Sequence, residues 1–435
     1  MSIITLQIGQ CGNQLGDSFY NLLAGELSNA SPASQACTLD IFFDQKPNST
    51  KYEPRSVLVD MEPKVIAKCL STQKKPDIWQ YNKDMTFCKQ EGSGNNWAFG
   101  YSRHGPACKD EIFEKLSAQL ERSDMTSGIL MLQSLAGGTG SGVGSYLIDA
   151  IQDEYPGITL MNIGVMPHLT GEVIVQSYNL VLSLSKLYQA SDAVLLIEND
   201  TINEICTKLL HLKRPNLHEM NFVISHMIGS VFYPCLPEDG AKKVTTTQQC
   251  QAPIFEHLPE LLTADPRYKL LTIKNLPQMP DSFKDFSNDT WSGLSKRLLQ
   301  MLISNSSEAS INWSLQPTSK SINKSLANLV IARGFESSKL DPSPFTNKAI
   351  YSSKNKAEMK FVSDHHLFNK NQRSLSVLSN SQAFVDPLEK HLNNVYNMFE
   401  AGAFVYQYEK FGVSKDEMQD SLAIVEQIAY DYANL

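Results

Sequence analysis

Gly137-Gly138-Thr139-Gly140-Ser141-Gly142-Val143-Gly144 (GGTGSGVG) carries five glycines in eight residues. An apolar run, Ile129-Leu130-Met131-Leu132, precedes it, and a helical pattern, Tyr146 to Ile151, follows. Bare backbone at a strand-to-helix turn can approach a bulky anion and turn its N–H groups onto it. The following helix adds its unpaired N-terminal donors. The stretch therefore reads as a phosphate cradle. It is not a Walker loop, because no Lys-Ser/Thr follows. Nor is it a dinucleotide turn, because the spacing is not GxGxxG and no acidic residue stands about 20 positions on. A flexible linker would not be bracketed by a buried strand and an amphipathic helix.

Outward from this turn, strand and helix alternate. Ile3–Ile8, Val57–Val59, Ile129–Leu132, Leu160–Val165 and Ala193–Ile197 read as buried strands with helical patterns between them. This succession predicts a mainly parallel α/β sheet with helices on both faces, and ligands beyond the carboxyl ends of its strands. Met220, Val223, Ile224, Met227, Ile228 and Val231 form a broad apolar helix face, stopped by Pro234 and Pro237. A helix this apolar is expected to wedge between domains. A second α/β region follows, with strands at Leu270–Ile273 and Leu326–Ala332. Residues 336–358 read as a surface loop, including the lysines between Lys339 and Lys360. His365-His366 reads as a solvated pair in a polar loop. Met418, Leu422, Val425 and Ala429 line one face of the last helix, as core or partner packing.

Bulk properties narrow the function. The 435 residues suffice for two or three domains. Thirty-eight Lys and Arg stand against 46 Asp and Glu, a net charge of −8, which disfavours a general nucleic-acid binder. No apolar run is long enough for a bilayer, and the N-terminus has no signal-peptide pattern. The scattered cysteines form no CxxC, so a reducing compartment is expected, with neither a disulfide framework nor structural zinc.

Several other turns fall at strand ends. Gly9-Gln10-Cys11-Gly12-Asn13-Gln14 can offer backbone and amide donors. Cys11 reads as a small buried thiol and not as a nucleophile. Asp60 and Glu62 suit a Mg²⁺ that keeps most of its waters, or equally an acidic helix start. Gly92-Ser93-Gly94-Asn95-Asn96-Trp97 is a donor-rich turn, and Ser134 can add a hydroxyl. Asn199 and Asn221 carry amides that match a guanine edge, accepting from its N–H groups and donating to O6, although each alone also fits a helix cap.

Together, GQCGNQ, VDMEP, SGNNWA, GGTGSG, SYN (Ser177 to Asn179) and END (Glu198 to Asp200), in this order and at these intervals, resemble the tubulin family over essentially the whole chain. The resemblance implies a tubulin-like α/β fold. It comprises a Rossmann-like GTP-binding domain over 1–214, a central helix over 215–237, a second α/β sandwich domain over 238–375 and a C-terminal helical hairpin over 376–435. It implies GTP or GDP and Mg²⁺ as ligands. Gln10, Cys11, Gly137, Gly138, Thr139, Gly140, Ser141 and Gly142 would hold phosphates. Gln10, Asp60 and Glu62 would face Mg²⁺, and Asn95 the γ-phosphate. Glu172, Gln176 and Asn179 would lie by the ribose, and Asn199 and Asn221 would read guanine. Leu217 stands where α- and β-tubulins place a Tyr that stacks on the base, and an aliphatic cover loses that stacking. Gln176 replaces a carboxylate.

The chain lacks the acidic tail of the common α and β chains. At 245–262 it reads TTTQQCQAPIFEHLPELL, without the loop that carries the family's hydrolytic Glu. Glu256 and Glu260 are acidic residues there, with His257 near the aligned position, and no catalytic acid is assigned. VLVDMEPKVI, GSGNNWAFGYSRHGP and SNSQAFV are similar to the δ branch of the family. That likeness implies a role in centrioles and basal bodies, in the cytoplasm and cytoskeleton. It would serve triplet microtubules, with ε-, α- or β-tubulin and centriolar proteins as partners and without nucleic acid or membrane. The alternative is a self-assembling GTPase that hydrolyses GTP on longitudinal contact.

Overall fold

The computed structural model describes residues 2–46, 49–72, 74, 76–171, 173–236, 253–284, 289–319, 321–354 and 359–435. Twelve strands are present among them: β1 (Ser2–Ile8), β2 (Phe43–Asp44), β3 (Glu53–Pro54), β4 (Ser56–Asp60), β5 (Thr86–Cys88), β6 (Thr126–Ser134), β7 (Leu160–Met166), β8 (Ala193–Glu198), β9 (Leu270–Leu276), β10 (Ser325–Gly334), β11 (Met359–Asp364) and β12 (Arg373–Ser381). Ten of them form one sheet in the order β11-β10-β12-β9-β8-β7-β6-β1-β4-β5, while β2 and β3 pair separately.

From β5 to β9 every pairing is parallel. The apolar runs of β1, β4, β6 and β7 are buried because helices cover both faces. The chain runs from β1 to β4 and β5 on one side and to β6, β7 and β8 on the other. Strand order thus reverses between β1 and β6, where such sheets bind ligands.

The two halves of the sheet meet at β8 and β9. These strands pair at only two positions, Val194 with Leu270 and Leu195 with Leu271. Beyond β9 the sheet turns antiparallel through β12 and β10. The central helix, Leu217–Phe232, carries the expected apolar face. It packs against the first helix, Gly9–Leu27, and against β9 and β12. The helices Val385–Glu400 and Lys415–Ala433 close the molecule. Met418, Leu422, Val425 and Ala429 are buried in the main core, so that stripe is internal packing.

Three expectations change. Residues 336–358 do not merely run over the surface. The turns Ser337–Lys339, Ser343–Thr346 and Lys348–Ile350 bury Leu340, Phe345 and Ile350 against β10 and its neighbours. His366 is not solvated: its Nε2 lies 2.9 Å from Glu26 Oε2, and its ring stacks on Tyr233 at 4.8 Å. The surrounding sequence is polar, but the polar groups partner one another, with Arg333 and Asp364 forming a buried ion pair beside them. Cys11, Cys69, Cys88, Cys108 and Cys206 are free thiols, whereas Cys37 is disulfide-bonded, which departs from an all-thiol reading. No described helix is long and apolar enough to cross a membrane.

Candidate nucleotide site

A cleft of about 310 Å³ opens at the sheet's switch point. Its walls come from four strand ends. Ile8 ends β1, and Gly9, Gln10, Cys11 and Gln14 follow it; Asp60 ends β4, and Glu62 and Val65 follow it; Ser93, Gly94 and Asn95 follow β5; and Ser134 ends β6, followed by Gly137 to Gly140. Leu217 and Asn221, from the start of the central helix, complete it.

The cleft is built for an anion. The first helix begins at Gly9 without any side chain capping its N-terminus, so its first N–H groups stay free to face the cleft. The π-helical turn Thr139–Val143 is likewise uncapped. The central helix differs: Asn216 and Glu219 form a full capping box, so it contributes side chains and not bare donors. Gly9 has φ +70, and a Cβ on it would stand 2.9 Å from Gly140 N. Only glycine lets the two cleft-lining loops touch there.

Two carboxylates stand at one edge. Asp60 is buried, and that burial raises its pKa to about 6, against the opposing hydrogen bonds from the Glu62 and Met61 amides. Its Oδ1 accepts from Met61 N at 2.8 Å. Glu62 is exposed beside it. Among the described residues no three His, Cys, Asp or Glu side chains gather as a metal cage. Two carboxylates and water suit Mg²⁺ shared with phosphates, which rarely takes an all-protein cage. Cys11 is half-buried, and burial pushes its thiol up to about 12, so it stays protonated and is no nucleophile.

The structure thus brings together Gln10, Cys11, Asp60, Glu62, Asn95, Ser134, Gly137, Gly138, Thr139, Gly140, Leu217 and Asn221. Ser141 and Gly142 stand behind the wall. The Ser141 hydroxyl bonds the Gly137 carbonyl, and a Cβ on Gly142 would meet Trp97 O at 2.3 Å. They shape the loop without lining the cleft. Glu172 lies outside the described residues.

Asn179 is not available to a ribose. It is fully buried, donates to Asn95 O at 2.8 Å and Ala136 O at 2.7 Å, and accepts from Trp97 N at 3.0 Å and Tyr408 Oη at 2.8 Å. Its bonds instead tie two cleft loops together. Gln176 is also occupied, its Nε2 donating to His168 O at 2.6 Å, which a carboxylate could not do. Asn199 opens the helix Asn199–Glu204, half-buried and outside the cleft walls. Ser93 was missed as a wall residue. It sits inside the quoted donor-rich turn, but nothing in that turn marks it above its neighbours.

A model of the tubulin/FtsZ family GTPase domain matches residues 2–207. Across the full length of both chains, the sequence is 38% identical to the tubulin delta chain of Canis lupus familiaris. It is 38% identical to those of Mus musculus and Homo sapiens over the same extent.

Proposed function

The chain belongs to the tubulin family, and on that premise we propose that it is a δ-type tubulin whose cleft binds GTP or GDP with Mg²⁺. The observation that carries this reading is the convergence of two uncapped helical N-termini, a carboxylate pair and the Asn221 amide on one cleft. Amides of Gly9 to Cys11 and of Gly137 to Gly140 hold phosphates. Asp60, Glu62 and Gln10 would hold Mg²⁺, and the metal would supply neutralisation of phosphate charge. With Asn199 outside the walls, the guanine edge falls to Asn221, beneath Leu217. That residue is 57% exposed and covers the base by apolar contact.

The cell role we propose goes beyond the likeness to tubulin delta chains, which supports it only as far as the cytoskeleton. The protein acts in cytoplasm and cytoskeleton, at centrioles and basal bodies, where it forms or maintains triplet microtubules. It docks ε-, α- or β-tubulin, together with centriolar proteins, through its nucleotide face. Hydrolysis depends on a partner's acid. Glu260 is exposed, and both the Glu256 side chain and residues 237–252 lie outside the described part of the chain.

The test is extraction. Acid-released nucleotide from purified protein, resolved by chromatography, should be GTP or GDP. A dinucleotide, an adenine nucleotide, or no nucleotide even after incubation with GTP and Mg²⁺ would end the reading. Size-exclusion chromatography with each tubulin, in GTP and in GDP, should give a nucleotide-dependent complex. Turnover by the isolated chain that is independent of its concentration would establish an autonomous GTPase instead.

A further inference from the structure

From the cleft wall inward, three side chains form a hydrogen-bonded row. Thr139 Oγ1 lies 3.1 Å from Ser93 Oγ, and Ser93 Oγ lies 2.9 Å from His104 Nδ1. Thr139 and Ser93 line the cleft, and His104 is buried behind them.

Two local features assemble the row. Gly100–His104 is a π-helical turn, a geometry that re-aims the side chains it carries, and it brings His104 back against Ser93. Gly138 admits the other loop. A Cβ there would lie 2.7 Å from both Ser93 Cβ and Ser93 O, and 2.8 Å from Asn96 N.

The row has a direction. His104 Nε2 is buried and has no hydrogen-bond partner among the described residues. Burial also lowers the pKa of this imidazole, which keeps the ring neutral at pH 7, with a single N–H. A proton on Nε2 would strand a buried donor. A proton on Nδ1 is satisfied by Ser93 and leaves only a lone pair unmatched, the lesser cost. Nδ1–H therefore donates to Ser93 Oγ. The Ser93 hydroxyl then donates to Thr139 Oγ1, and the Thr139 hydroxyl is left to donate into the cleft. Each bond polarises the next in the same sense.

We propose that His104 is a positioning residue which, through Ser93, aims the Thr139 hydroxyl at the terminal phosphate of a bound nucleoside triphosphate and so favours GTP over GDP. The inference rests on the nucleotide reading above. The turn that carries Ser93 also carries Asn95, on the same cleft wall.

The experiment compares Kd for fluorescent GTP and GDP, with Mg²⁺, in the full chain and three variants. His104→Leu removes the donor, Ser93→Ala removes the middle link, and His104→Asn keeps an N–H close to where Nδ1 stands. His104→Leu and Ser93→Ala should each lower the preference for GTP over GDP about three- to tenfold with little change in GDP affinity. His104→Asn should retain the preference. A purely structural role would weaken both nucleotides alike, and that outcome overturns the proposal. So does a preference that survives in Ser93→Ala, or a His104→Asn that behaves like His104→Leu. If His104→Leu fails to fold, Ser93→Ala decides, since it keeps the histidine. Wild-type protein that takes up neither nucleotide overturns the nucleotide reading itself. Wild-type protein that binds both, with variants unchanged, overturns only the relay.

Discussion

Asn179 and Asn221 are the same side chain put to opposite uses. All the bonding capacity of Asn179 is spent inside the protein, on Asn95, Ala136, Trp97 and Tyr408. Asn221 lines the cleft. Asn179→Ala should therefore cost about 3 kcal/mol of stability or more, because it strands several buried partners. Asn221→Ala should leave stability nearly unchanged and weaken GTP at least tenfold. Urea unfolding beside a fluorescent-GTP titration separates the two, and equal behaviour in both assays would contradict the assignment.

Asp60 makes a pH prediction. Its folded pKa of about 6 lies above the usual carboxylate value near 4, so the folded state holds the proton more tightly than the unfolded one. Without metal, the buried charge opposes folding at pH 7.5, and this penalty fades as pH falls through 6. Asp60→Asn should thus be more stable than wild type at pH 7.5, with a smaller difference at pH 5, in nucleotide-free urea titrations. Magnesium binding runs the other way: it needs the carboxylate and should weaken as pH falls through 6.

At the scale of elements, the glycine loop and the turn after β5 fit each other face to face. Gly138→Ala should cost roughly 1–3 kcal/mol, since the new methyl meets Ser93 and Asn96 backbone. Gly137→Ala, whose Cβ would find nothing nearer than Asn95 Oδ1 at 3.9 Å, should stay within about 0.5 kcal/mol in the same unfolding assay.

Elements like these were legible where chemistry is local. β1, β6, β7 and β8 announce themselves as apolar runs, and the cleft's glycine turns sit at their ends. β12 did not, because Arg373–Ser381 reads RSLSVLSNS, and four of its serines are buried in the middle of the sheet. β11 is a half-buried edge strand without an apolar run. Asn221 and Asp60, singled out by motif position, both line the cleft. Motif position could not show that Tyr408, 229 residues away from Asn179, claims that amide. His104 was equally hidden, because only the π-turn brings it to Ser93.

At the scale of the whole molecule, the C-terminal helix reaches back to the junction of the sheet. Tyr432 Oη accepts from Leu270 N at 2.9 Å and lies 3.0 Å from Asn380 Oδ1. Tyr432→Phe should destabilise by about 1–3 kcal/mol, by leaving a buried amide unpaired at the first residue of β9. Unfolding midpoints at constant m-value check this, and an unchanged midpoint would show that water replaces the hydroxyl.

The same junction sets how force travels. Two rungs between β8 and β9 are the narrowest hydrogen-bonded section connecting the parallel half of the sheet to the antiparallel half. A neighbour that grips one half and twists the other loads that short ladder together with the central helix and the Tyr432 contacts that pack across it.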